Sequence, residues 1–262
     1  MRDLQDELSL PALQAALRRT TERLAYELAT PAERAPDWSA NDWLVAQAVA
    51  SIHGVSGLLV ERLRWSGPPA WDGFLREQRL QIALRQQRIL GLLQQIDRQA
   101  RARGVALVAL KGASLQARGL YAPGERPMAD IDLLVSAQAA APAAQLFLDL
   151  GFRAGPVTWK HRVFEPPAVP GEVPADLGES RHAPIKVELH SQVREILPLR
   201  PVDISDLVLT AGLPAGVNDY PATAALLLHV LLHAAGTMIG RSLRLLHLSD
   251  IARLARVMTP AD

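Results

Sequence analysis

The chain has 262 residues, 49% hydrophobic and 21% charged, with 28 basic against 27 acidic side chains and a formal net charge of +1. That balance excludes a disordered tail, a collagen-like fibre and a small disulfide scaffold, and it leaves no global field to draw the protein onto nucleic acid. Cysteine is absent, which excludes disulfides, thiolate metal sites and thiol nucleophiles.

The first residues are charged and amphipathic and lack the apolar stretch of a signal peptide. Residues 3–29 read as a helix with Leu10, Leu13, Leu17, Leu24 and Leu28 on one broad stripe. A loop with Pro31 and Pro36 follows, then a second helix over 42–64. A turn at Gly67-Pro68-Pro69 leads into a long third helix over 71–103, with Leu75, Ile82, Leu90, Leu93 and Ile96 inside and Gln and Arg outside. The five tryptophans are scattered, without the spacing of a base-stacking surface.

The period then changes. Residues 105–110 (VALVAL) suit a buried strand, and 112–118 a short helix stopped by Gly119. Residues 121–126 contain the turn signal Pro123-Gly124. Residues 128–135 (MADIDLLV) form a strand and 137–150 a helix ending at Gly151. One more strand is expected within 152–166, a proline-rich surface loop over 166–184, and a strand over 185–193 (IKVELHSQV). From Pro201 the chain turns helical again, at 221–236 and 241–258. The stretch 222–240 is uncharged but carries His229 and His233 in its middle, which are costly in lipid; it reads as a buried helix. The layout is an N-terminal helical region (1–103), a mixed α/β core (104–200) and a C-terminal helical region (201–262). The last residues, Thr259-Pro260-Ala261-Asp262, resemble the start of another helix, so a further C-terminal portion is expected.

Asp130 and Asp132 occupy alternate positions of one strand and therefore share a face, with Ile131 and Leu133 on the other. Two acids held this close repel unless a cation or proton lies between them, and carboxylates that leave room for phosphate and water describe a Mg²⁺ site. The bland reading of the pair is an exposed strand end with two solvated acids. In 186–190 (KVELH), Glu188 and His190 alternate with Val187 and Leu189 in the same way. If the two strands are neighbours, Glu188 becomes a third carboxylate over the same spot, the arrangement of two-metal phosphoryl chemistry. Lys111-Gly112-Ala113-Ser114 follows a strand and opens a helix, where glycine and free N–H groups suit a phosphate, although the spacing is not that of a Walker A loop. Only three of the 28 basic residues are lysines, and Lys111 is one of them. Arg126, just before the acidic strand, is a candidate phosphate clamp; by itself it reads as a surface arginine.

Residues 108–135 (VALKGASLQARGLYAPGERPMADIDLLV) resemble the signature of the uncharacterised nucleotidyltransferase family, within the DNA polymerase β-like nucleotidyltransferase superfamily. The matching features are Leu110-Lys111-Gly112, Tyr121, Arg126, the Asp130–Val135 strand, the later Glu188–His190 strand and the helix ending in Leu150-Gly151-Phe152. The resemblance implies an α+β nucleotidyltransferase core that binds a Mg²⁺–nucleoside triphosphate, with ATP expected and two Mg²⁺ ions. It implies that Asp130 and Asp132 hold metal and that Glu188 holds metal or activates the acceptor hydroxyl. Lys111, Gly112, Ser114, Arg126 and His190 would bind the nucleotide. A nucleoside monophosphate would pass to a hydroxyl of a small molecule, peptide or protein, with loss of pyrophosphate, in the cytoplasm and without membrane or nucleic-acid partners. Two features depart from the wider superfamily: Ala113 separates Gly112 from Ser114, and the gap from there to Asp130 is long.

Competing readings are an inactive nucleotidyltransferase fold that binds nucleotide or a partner, and a helical interaction protein with the α/β part as scaffold. The presence of all three acids argues against the first, since an inactive descendant is free to lose one. His229 and His233 are spaced i, i+4 without the glutamate of a zinc protease helix, and they read as core or pocket-lining residues. Asp250 reads as a cap of the last helix.

Overall fold

The computed structural model describes residues 9–167 and 177–259. In chain order the elements are α1 (Leu10–Ala29), α2 (Ala40–Ile52), α3 (Ser56–Arg62), α4 (Pro69–Ala102), β1 (Ala106–Ala109), α5 (Lys111–Ala117), β2 (Asp130–Leu134), α6 (Ala140–Asp149), β3 (Arg153–Val157), β4 (His161–Glu165), β5 (Lys186–His190), β6 (Arg194–Ile196), β7 (Pro201–Asp203), α7 (Ser205–Val208), β8 (Gly216–Asn218), α8 (Thr223–Ile239) and α9 (Leu245–Val257). The start of the first predicted helix, the middle of the proline-rich loop and the last three residues lie outside the described residues.

The class is α+β. Six strands form one mixed sheet in the order β3-β4-β5-β2-β1-β8, and β6 and β7 make a separate hairpin. β2 runs parallel to β5 and antiparallel to β1, while β4 is antiparallel to β5 and β8 parallel to β1. Ile131, Leu133, Val187 and Leu189 bury one face of the sheet among Phe147 of α6, Phe164 of β4 and Ile89 and Ile96 of α4. With the apolar side of both strands consumed by this core, alternation leaves their acidic side facing away from it.

Several sequence expectations change. The predicted helix over 42–64 is two helices that turn by 112° about Gly54, whose positive φ of 67° is a conformation that glycine adopts without steric cost. α2 begins in a capping box: Ser39 Oγ accepts from the Asp42 N–H at 3.2 Å, and Asp42 accepts from the Ser39 N–H at 3.3 Å. The single strand expected in 152–166 is the hairpin β3–β4, and the region after Pro201 contributes β7 and β8 as well as helices. Strands of three residues are too short to display alternation. Leu10 and Leu90, expected inside, are exposed.

Within α4, Gln78 and Arg85 are buried rather than solvated. They occupy the apolar stripe of Leu75, Ile82, Ile89 and Ile96, so the spacing carried a signal. Arg85 donates to the carbonyls of Met128 (2.9 Å), Ala129 (2.8 Å) and Pro184 (3.0 Å). These carbonyls sit just before β2 and β5. One guanidinium thus satisfies the backbone at the entrance of both acidic strands, where unpaired buried carbonyls are costly. Four of the five tryptophans also converge: Trp43 packs on Trp38, Trp65 and Trp71 with ring centroids 4.9, 6.0 and 5.6 Å away. They are core of the N-terminal helices.

Among the described residues no single helix is long and apolar enough to cross a membrane. The uncharged stretch forms α8, with His229 on its buried side.

Candidate active site

The parallel register of β2 and β5 sets Asp130 beside Lys186, Asp132 beside Glu188 and Leu134 beside His190. Antiparallel pairing of β4 with β5 adds His161 opposite His190. Asp130, Asp132, His161, Glu188 and His190 fall on the sheet face away from Ile131, Leu133, Val187 and Leu189. They line a cavity of about 410 Å³ that is also lined by Lys111, Gly112 and Arg126.

Asp132 is the hub. Its Oδ1 lies 3.1 Å from the Lys111 ammonium and 2.8 Å from His190 Nε2. The same His190 nitrogen lies 3.7 Å from Glu188 Oε2, and Glu188 Oε2 lies 3.2 Å from His161 Nδ1. Lys111 is held at φ 44°, a left-handed backbone that costs a non-glycine residue about 1–2 kcal/mol. Its N–H donates to the Tyr220 hydroxyl at 3.3 Å, and the strained turn aims the ammonium at the acids.

Burial and the charges of Asp132 and Glu188 push the Asp130 carboxyl up to about 6. Burial acts on Asp132 in the same direction, but Lys111 and His190 outweigh it and hold that carboxyl well below the ordinary range. Burial likewise opposes the charged forms of Lys111 and His190, yet the facing carboxylates keep both above their ordinary values. Three carboxylates gathered on one partly buried face are a set that could hold a further positive charge.

Of the residues predicted from sequence, Asp130, Asp132, Glu188, Lys111, Gly112, Arg126 and His190 meet at this cavity. Ser114 is turned elsewhere: its buried hydroxyl donates to Asp219, which also accepts from Arg118 at 2.7 Å. Arg126 is not a surface arginine. It makes a buried bidentate pair with Asp250, both bonds 2.9 Å, and Tyr121 donates to the same carboxylate at 2.6 Å. Asp250 accordingly lies in the middle of α9 rather than capping it, because the buried guanidinium needs a counter-charge there.

Gly112 is where Arg126 and the acidic strand come close. A Cβ at this position would stand 2.7 Å from Met128 Sδ and closer still to Arg126 Nη1. Because Asp250 fixes that guanidinium, it cannot swing aside at little cost. Gly112→Ala is expected to lose about 1–3 kcal/mol by overpacking, read as a lowered urea midpoint at unchanged slope; a loss below 0.5 kcal/mol would mean that the turn adapts.

The far wall of the cavity carries Lys160, Glu195 and His247, which sequence reasoning passed over, beside His233, which it read as core or pocket-lining. Lys160 donates to both oxygens of Glu195 at 2.6 Å, and His233 packs edge-on against His247 with centroids 5.0 Å apart. His161 was missed as well; an imidazole at a strand start carries no local signal. His229 also lines the cavity, its Nδ1 hydrogen-bonded with the Tyr220 hydroxyl at 2.5 Å. Burial, with Lys111 nearby, depresses its imidazole to about 3. An imidazole neutral in the fold but free to charge when unfolded contributes stability that is complete above about pH 6.5 and lost as pH falls toward 3, by at most about 1.4 kcal/mol per pH unit. Unfolding free energies measured between pH 7 and 4 are expected to fall less steeply for His229→Gln than for the native chain.

A family model described as "Uncharacterised nucleotidyltransferase" matches residues 39–262. No curated protein matches the chain. A solved structure from Thermotoga maritima, provisionally assigned as a nucleotidyltransferase, is 19% identical with a TM-score of 0.32, covering 59% of this chain and 86% of that one. Likeness at that level carries no argument about the site.

Proposed function

Since this chain belongs to the uncharacterised nucleotidyltransferase family, we propose that it transfers a nucleoside monophosphate from a nucleoside triphosphate, ATP in the first instance, to a hydroxyl acceptor. The observation that carries the reading is the side-by-side register of Asp132 and Glu188, with Asp130 on the same face of the same strand, at a cavity floor. In this reaction the acceptor oxygen bonds to the α-phosphorus, the bond to the β-phosphate bridge breaks, pyrophosphate leaves, and the hydroxyl proton passes to a base.

Divalent cations fit the residues present. Asp130, Asp132 and Glu188 supply hard oxygen donors on one face, and burial together with the neighbouring charges of Asp132 and Glu188 raises the Asp130 carboxyl, a cost that a cation would relieve. Mg²⁺ held there would neutralise phosphate charge. The chain's own contribution is positioning and electrostatics, which dominate phosphoryl chemistry. Lys111 supplies a compact positive charge beside the acids. Glu188, beside Asp132 and 3.2 Å from His161 Nδ1, would hold metal or receive the proton of an acceptor hydroxyl. The Lys160–Glu195 and His233–His247 pairs form the wall an acceptor would meet. Such chemistry belongs in the cytoplasm, where Mg²⁺–nucleotides are abundant.

Calorimetric titration of ATP, GTP, CTP and UTP with Mg²⁺ tests the reading. Metal-dependent binding of at least one nucleotide is expected for the native chain, with loss in the Asp130→Ala/Asp132→Ala variant. Absence of metal-dependent binding for all four overturns it.

A further inference from the structure

The geometry points to a second, chemically different cation position on the β4–β5 wall: a mixed imidazole–carboxylate site of His161, Glu188 and His190, suited to a borderline divalent transition ion such as Mn²⁺, Co²⁺ or Zn²⁺. Glu188 is shared with the position proposed for Mg²⁺, and to that extent the inference rests on the nucleotidyl-transfer reading.

Three observations carry it. First, the topology places the donors together. His161 and His190 are register partners across β4 and β5, and Glu188 lies on the same face two residues before His190. Second, the spacing is that of a ligand set. One donor atom from each residue lies within 4.8 Å of the other two, and Glu188 Oε2 stands 3.2 Å from His161 Nδ1 and 3.7 Å from His190 Nε2. Ligands about 2.0–2.2 Å from one ion at tetrahedral angles lie roughly 3.3–3.6 Å apart, so both carboxylate spacings already flank that value. The edge-to-face packing of the two rings, centroids 5.0 Å apart, supports their orientation. Third, His161 Nδ1 is buried and makes no hydrogen bond despite its closeness to Glu188. Buried ring nitrogens are ordinarily paired. Had the histidine served only to neutralise the glutamate, its N–H would donate to that oxygen, yet at 3.2 Å the two atoms make no hydrogen bond.

The donor set decides the class of ion. Mg²⁺ takes oxygen ligands in near-octahedral geometry and keeps several waters. Imidazole nitrogens favour the later first-row ions, which bind N/O sites more tightly as the series advances. Asp130 and Asp132 offer only oxygen, whereas this position offers one oxygen and two nitrogens, the His190 Nε2 on exchanging its 2.8 Å contact with Asp132 Oδ1 for the ion. The two positions thus differ in preference while sharing Glu188.

The test uses the untagged full chain, stripped of metal and titrated separately with Co²⁺ and Mg²⁺, by visible absorbance and by calorimetry. Expected are one Co²⁺ per chain with a visible ligand-field band, an affinity at least about tenfold above that for Mg²⁺, and a loss of about tenfold or more in His161→Ala and again in His161→Gln. Circular dichroism confirms that each variant folds. Co²⁺ binding no tighter than Mg²⁺, or a band indifferent to both His161 substitutions, overturns the inference. Mg²⁺–nucleotide binding that persists alongside that negative result sinks this site alone; a His161-dependent Co²⁺ band in a chain that binds no nucleotide supports the site and sinks the nucleotidyl-transfer reading.

Discussion

Asp132→Asn is expected to lower nucleotidyl transfer by on the order of 10³-fold, the scale at which removal of one preorganised electrostatic group acts. The substitution keeps the volume and removes the charge. Asp132 is the carboxylate that Lys111 and His190 both contact, at 3.1 and 2.8 Å, and it stands in register with Glu188 across β2 and β5. An amide in its place weakens any cation held at the acids and leaves the Lys111 ammonium facing a neutral oxygen in a buried setting. Metal-dependent nucleotide affinity by calorimetry, and incorporation of labelled nucleotide into acceptors of a cell extract, are the two readouts. Transfer within tenfold of native in a folded Asp132→Asn protein would exclude these acids from the chemistry.

The second large effect is on stability. Asp250→Ala is expected to lower the unfolding free energy by about 3–5 kcal/mol, because it leaves a buried guanidinium without its counter-charge. Arg126 and Asp250 are both nearly inaccessible and joined by two 2.9 Å bonds, and Tyr121 loses its acceptor in the same variant. Against a typical total of about 5–15 kcal/mol, that loss is a substantial fraction of the fold's stability. Replacing both partners by apolar groups of similar volume, as Arg126→Met with Asp250→Leu, should cost clearly less than the single change, since no orphaned charge remains. Urea unfolding of the two variants checks the order. A single variant within 1 kcal/mol of native would mean that water reaches Arg126.

The same pair shows where sequence reading reached its limit. Arg126 was legible as a residue near the acids but not as one already paired, because its partner lies 124 positions later. Asp250 sits in the sixth position of α9, and a carboxylate near a helix start looks locally like a cap. Arg85 and Gln78 were legible in principle: polar residues on an otherwise apolar stripe announce a buried polar contact, though not with what. His161 had no local mark at all.

What the chain alone decided is short-range. The period-2 alternation of residues 130–134 and 186–190 puts Asp130, Asp132, Glu188 and His190 each on the polar side of its strand, since alternation is a property of every extended backbone. Whether those polar sides coincide is a different matter. It depends on which strands become neighbours and in what register, and that is settled by burying Ile131, Leu133, Val187 and Leu189 against α4 and α6 and by Arg85 pinning both strand entrances. Burial of apolar area is non-directional and summed over the whole core, so no local pattern encodes its outcome. Only the folded chain could bring β4 alongside β5, and with it His161 to Glu188.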